Sequence, residues 1–250
     1  MSGFRNLGFL GVGLVLAGCA HYATPGGPAN MRVMMSPEAR AIQTDGPVGQ
    51  AIDKKPLAKL PASVAVVRVQ APGYRSATAE SWGQGSYSIV TTQDIQGEEA
   101  GMEKLGKLPM IRGLAPLNRL LLPSQLNSDL ELRKAAGALH ADMLLIYTLD
   151  TSFNVEDVAV PLSVITIGLS PNQVARVTCT ASAVLLDTRN GYVYGVAEAT
   201  DKQKQLASAW TNEAAVDQTR RRVEAEAFSK LVGNLEGMWS GVVNEVAQIQ

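Results

Sequence analysis

Apolar residues fall into a few dense runs separated by Gly-, Pro- and Ser-rich stretches, and each run has its own period. Residues 61–69, Pro-Ala-Ser-Val-Ala-Val-Val-Arg-Val, are nearly continuous in apolar character. That pattern predicts a strand covered on both faces, with the folded region starting near Leu60. Residues 86–92 predict a second strand. Residues 98–108 predict a short helix burying Met102, Leu105 and Leu108, weakened by Gly101 and Gly106 and stopped by Pro109. Residues 114–122 are apolar without a clear period and stay unassigned. Ser128-Asp129-Leu130-Glu131 fits a capping box, and Leu132, Ala135, Ala136 and Leu139 then share one helical face. An apolar strand over 143–149 follows directly, the helix-to-strand unit of an α/β layer.

Residues 173–186 and 192–200 predict an antiparallel pair, turned by Asp187-Thr188-Arg189-Asn190-Gly191, whose Asn-Gly step favours positive φ angles. From about Thr211 the pattern is helical, with Val223, Ala227, Leu231, Leu235, Trp239, Val242 and Val246 on one face. Gly233, Gly237 and Gly241 form a second line, each costing about 1 kcal/mol relative to alanine in a helix interior. The expected reason is close approach of the helix backbone to the sheet, with a break into two helices near Gly233 as the alternative. The sum is an α/β (α+β) fold: a mixed sheet with a long antiparallel hairpin, packed by helices that include a long C-terminal one. Before it, residues 20–49 are interrupted by Pro25-Gly26-Gly27-Pro28, Ser36-Pro37 and Asp45-Gly46-Pro47 and read as a tether. A flexible chain of about 30 residues spans roughly 30 Å, with a contour limit near 100 Å. Met31, Val33, Met34 and Met35 either dock on the domain or are incidental.

Composition narrows the classes. With 46% hydrophobic residues, 18% charged and a net charge of -1, the chain is ordinary for a globular protein and has no basic excess for nucleic acid. Of two cysteines, Cys179 alternates with polar neighbours on the inward face of its strand and reads as a buried hydrophobe.

Chemistry is sparse. His21 and His140 lie far apart and lack the short spacing of metal ligands. No nucleophile elbow, P-loop or dinucleotide fingerprint occurs, and Gly83-Gln84-Gly85 reads as a loop. Asp142, Asp150 and Asp187 sit at strand ends, where aspartate serves local backbone bonding. Arg220-Arg221-Arg222 reads as a solvated helix face. The expectation is a non-enzyme without cofactor or metal. The uncharged stretch 161–169 is a covering segment or an apolar arm that docks on a partner through Leu162, Val164, Ile165, Ile167 and Leu169.

Leu16-Ala17-Gly18-Cys19 closes an apolar run over 7–17 that follows Arg5, the order of a secretory signal. The run is shorter than the roughly 20 residues of a spanning helix. It resembles the lipobox of bacterial lipoproteins, which implies cleavage between Gly18 and Cys19 and acylation of Cys19. Ala20, rather than aspartate, implies an outer-membrane anchor facing the periplasm. The expected organisation is a signal at 1–18, a lipidated N-terminus and tether at 19–59, and a periplasmic domain at 60–250.

The order valine-rich strand, helix ending in Ala141-Asp142, strand, insertion, and hairpin turning at Leu186-Asp187-Thr188-Arg189-Asn190-Gly191-Tyr192-Val193 is similar to the periplasmic domain of the CsgG-like and peptidoglycan-synthase-activator lipoproteins. That resemblance implies either a pore subunit or an accessory that binds an envelope protein or peptidoglycan, with homo-oligomerisation open. A pore needs two membrane-inserting hairpins. The first place, 152–172, carries Glu156 and Asp157, and after Thr200 the chain is expected to pass directly to the terminal helix. The favoured expectation is a binding module; a pore component and a hydrolase of envelope polymers are the alternatives.

Overall fold

The structure, a computed structural model, describes residues 26–31, 34, 53–76, 78–157, 173–207 and 212–249. Its elements are β1 (Ala62–Gln70), β2 (Gln84–Gly85), β3 (Ser88–Val90), α1 (Glu98–Gly106), β4 (Ile111–Pro116), β5 (Gln125–Leu126), α2 (Asp129–Ala138), β6 (Met143–Asp157), β7 (Gln173–Asp187), β8 (Val193–Ala207) and α3 (Asn212–Ile249). Among the described residues a six-stranded sheet runs β3-β1-β6-β7-β8, with β4 pairing β1 beside β3. β1 lies parallel to β4 and β6, whereas β6, β7 and β8 are antiparallel. The fold is therefore the expected mixed α/β arrangement.

Two cores lie on opposite faces of this sheet. α1 and α3 cover one, with Leu105, Val223, Ala227, Leu231, Leu235 and Trp239 against Val64, Val66, Met143 and Leu145. α2 covers the other, with Leu132, Ala135 and Ala136 against Ala65, Val67, Leu144 and Ile146. The near-continuous apolar run of β1 follows from cover on both faces. At α2 the capping box is formed: Ser128 Oγ accepts from Leu130 N at 3.3 Å, and Glu131 Oε2 accepts from Ser128 N at 2.9 Å. The unassigned stretch after Gly113 resolves into the end of β4 and a 3₁₀ turn at Arg119–Leu121.

Several expectations are corrected. α3 is one unbroken helix of 38 residues. Its Gly233, Gly237 and Gly241 are exposed, and a Cβ at any of them would meet nothing within 4 Å, so close approach to the sheet does not explain them. The helix that does approach closely is α1: a Cβ on Gly101 would fall 2.8 Å from Phe228 Cε1. At the hairpin turn only Gly191 has positive φ, at 69°; the turn is organised instead by Asp187 Oδ1, which accepts from Arg189 N and Asn190 N. β8 does not stop at Thr200 but pairs with β7 through Ala207.

The segment expected to be free tether is also partly in the fold. Gly27 O accepts from Ala71 N at 3.0 Å, Pro28 bridges to Gln70, and Met34 is fully buried in the α2-side core. No helix of the described residues is long and apolar enough to cross a membrane.

Candidate functional site

The expected site residues separate into three groups. Gly18, Cys19 and the apolar set Leu162, Val164, Ile165, Ile167 and Leu169 lie outside the described residues, as does His21. Asp142 and Asp187 lie at the same end of the sheet, where Thr188 N donates to Asp142 O at 3.1 Å, but their carboxylates serve separate backbone donors. Asp142 Oδ2 accepts from Ser63 N at 2.9 Å, pinning the start of β6 to β1. Asp187 is fully buried, and its Oδ2 accepts from Leu57 N, Ala58 N and the Tyr194 hydroxyl at 2.8–2.9 Å. Asp150 is exposed. His140 stands exposed after α2 with φ at 55°. Cys179 faces α3, and burial pushes its thiol up to about 12, against a weaker opposing hydrogen bond from Thr151, so it is not a thiolate at neutral pH.

What sequence reasoning missed is a buried polar cluster between the sheet and the first half of α3. Arg68 sits on β1 in register with the inward Val64 and Val66, so its guanidinium enters the core. There it is 2.5 Å from Asp94 Oδ1, donates to the Tyr74 hydroxyl at 3.0 Å, and lies over the Tyr74 ring. Tyr147 on β6 donates to Glu98 at the start of α1. Thr151 donates to Glu224 at 2.9 Å, and Glu224 in turn pairs with Arg220 at 2.6 Å. Arg220 is thus 1% exposed and belongs to the interior, not to a solvated helix face. Its charge is offset by Asp217 at 3.0 Å as well. The signal was present: a charged residue at an inward position of a valine-rich strand demands a buried partner.

Burial raises the carboxyl pKa of Glu98, with the Tyr147 hydroxyl and Arg68 pulling the other way. Burial likewise raises Glu224, opposed by Arg220 and Arg68. These acids hold protons more readily than surface ones do. A cavity of about 170 Å³ opens beside them, where β3 and β4 share the edge of β1; Arg68, Glu98, Met102, Asn118 and Tyr147 line it. It is smaller than the roughly 300–1,000 Å³ of ordinary ligand pockets. The arrangement can store a proton and order the helix–sheet junction. Among the described residues, no group of three or more His, Cys, Asp or Glu could hold a metal ion.

The second feature is the hairpin sheet itself. β1 ends at Gln70, near the level of Leu149, but β6, β7 and β8 continue together as strands of 15 residues each. On the face away from α3 this extension shows Asp150, Ser152, Asn154, Thr178, Thr180, Thr200, Lys202 and Lys204. Thr180 and Thr200 share a hydrogen bond of 2.9 Å, and Ser182 donates to Glu198 at 3.0 Å. Lower on the same face, Met31, Val184, Val193 and Val196 line an apolar groove of about 370 Å³, with Val196 72% exposed.

No family model matches the chain, and no curated protein matches it. Solved structures with a similar chain trace include XCC0632 from Xanthomonas campestris, 12% identical, covering 72% of this chain and 87% of that one with a TM-score of 0.36. Lipoprotein GNA1162 from Neisseria meningitidis is 17% identical, with 75% and 99% covered and a TM-score of 0.31. CT253 from Chlamydia trachomatis is 12% identical, with 71% and 96% covered and a TM-score of 0.31. Likenesses this distant carry no inference about activity or partners.

Proposed function

We propose that this chain is a lipid-anchored envelope protein whose α/β domain is a non-catalytic binding module, held on the periplasmic side of the outer membrane through acylated Cys19. The observation that carries the binding role is the extension of β6, β7 and β8 beyond the end of β1. Three long strands continue together past the central strand, and the stretch of sequence that links β6 to β7, residues 158–172, contains no charged side chain. Such a projection serves contact better than it serves core packing. Its occupant is an envelope protein or peptidoglycan, met by Leu162, Val164, Ile165, Ile167 and Leu169.

The alternatives are less well supported. Asp142 and Asp187 are committed to backbone donors, which leaves a hydrolase without its acid–base pair. A pore subunit needs a second inserted hairpin, yet four residues, 208–211, separate β8 from α3, against about 9–11 residues for each spanning strand.

The test is photo-crosslinking of the full chain in its own membranes, with probes at Thr178 and Lys202. One defined adduct is expected, and its yield should fall at least tenfold when Leu162, Val164, Ile165, Ile167 and Leu169 are all replaced by serine. An adduct of undiminished yield would remove the docking role of that segment. Cys19→Ser should abolish fatty-acid labelling and membrane partition; retention of both would remove the anchor.

A further inference from the structure

The reach of the domain from its membrane depends on where the chain first joins the fold. Gly26 lies against Tyr74, where an added Cβ would fall 3.3 Å from Tyr74 Cα. Gly27 O then accepts from Ala71 N at 3.0 Å, and Pro28 bridges to Gln70 at the end of β1. Ala29 N donates to Thr148 Oγ1 at 3.2 Å, and that hydroxyl donates to Gln70 Oε1 at 2.7 Å. The Gln70 amide completes the junction by accepting from Leu149 N at 3.0 Å and donating to Leu149 O at 3.1 Å. One helical turn later, Met34 N donates to Asn30 O, and the Met34 side chain is fully buried with Leu132 and Ile146.

These contacts are built into the sheet. The buried Thr148 hydroxyl accepts from this segment through Ala29 N and passes its own proton to the buried Gln70 side chain. Without Met34 the core under α2 would lose one of its largest fully buried side chains.

We infer that residues 26–31 and 34 are a clamp that holds the domain against the bilayer carrying the Cys19 lipid. The inference rests on the anchor proposed above. Gly26 lies seven positions after Cys19, and a fully extended chain over seven steps spans only about 25 Å. The 40 steps from Cys19 to Lys59, by contrast, would allow about 140 Å if none of them were docked. The Tyr74 corner of the sheet therefore rests beside the membrane, and the bilayer surface is its partner. Whatever the projecting strands bind lies in that membrane-proximal zone.

Two insertions separate a clamp from a plain tether. A 20-residue Gly/Ser spacer placed after Ala23 lies between lipid and clamp, while the same spacer after Gly46 lies between clamp and domain body. The full lipidated chain, labelled through Arg75→Cys, is placed in phosphatidylethanolamine/phosphatidylglycerol vesicles holding an acceptor lipid, and energy transfer is read. The expected result is at least a twofold loss of transfer for the spacer after Ala23 and no change for the spacer after Gly46. Equal losses from both, or none from either, would overturn the clamp. Fatty-acid labelling of Cys19 on the same samples reports the anchor separately. Amide hydrogen exchange on the chain from residue 20 tests the clamp even without lipid: slow exchange at Met34 and Ala71 upholds it, and exchange at unstructured rates overturns it.

Discussion

Replacing Gly233, Gly237 and Gly241 of α3 together by alanine should stabilise the domain by about 2–3 kcal/mol. All three lie inside a continuous helix of 38 residues, far from either end. A methyl at any of them meets nothing within 4 Å, so no packing is gained and none is lost. What remains is the difference in helix propensity, about 0.8–1 kcal/mol for each exposed Gly→Ala change, arising from the conformational freedom that glycine retains in the unfolded chain. No packing partner is shared, so the expected total is the sum of three propensity differences. For a domain of this size the gain corresponds to a Tm rise of roughly 5–10 °C. Urea denaturation should show a higher midpoint with an unchanged m value. A fall in stability, or a gain confined to one of three single variants, would show that this face of α3 is packed after all.

Other expectations follow from contacts on the opposite side of α3. Gly101→Ala drives a methyl into Phe228 Cε1 and Val232 Cγ2 and should cost about 1–3 kcal/mol; a neutral result by thermal melt would contradict the tight α1–α3 contact. Glu98 has its folded pKa raised above 4.5, so its contribution to stability is full below that value and is lost as pH rises through the folded one. The parent should therefore lose stability relative to Glu98→Gln as pH goes from about 4 to 7, and parallel denaturation profiles would exclude the effect. At the edge of the sheet, Asn234 Nδ2 donates to Glu198 O at 2.8 Å and Lys230 Nζ reaches Thr200 O at 3.5 Å. Both carbonyls face away from β7, where an added strand would bond. Asn234→Ala with Lys230→Ala should raise self-association in sedimentation experiments, and a profile unchanged from the parent's would show that these side chains do not guard the edge.

Much of the architecture was legible because it is local. The Ser128–Glu131 box starts α2, alternation from Ala175 onward marks β7, and the seven apolar positions from Val223 to Val246 define the buried face of α3. The candidate site was less legible. Tyr147 and Glu98 stand 49 residues apart, and Thr151 and Glu224 are 73 apart. Their pairing exists only once α1, β6 and α3 are stacked. The same holds for Arg220, which sits in a run of three arginines that looks solvated until Glu224 and Asp217 are seen beside it.

The glycines make the division plain. Period places Gly233, Gly237 and Gly241 on one line of a helix, but a line has no preferred direction until a neighbour covers one side. Gly101, which looks like a weak point in a short helix, is the one pressed against Phe228. Likewise, Pro and Gly between 25 and 28 forbid a regular helix there, yet only the gap beside Gln70 and Thr148 draws that segment into the sheet. Chain order and periodicity dictate which residues share a face and where each element starts. Tertiary packing decides what that face meets, because burial and hydrogen bonding depend on partners distant in sequence.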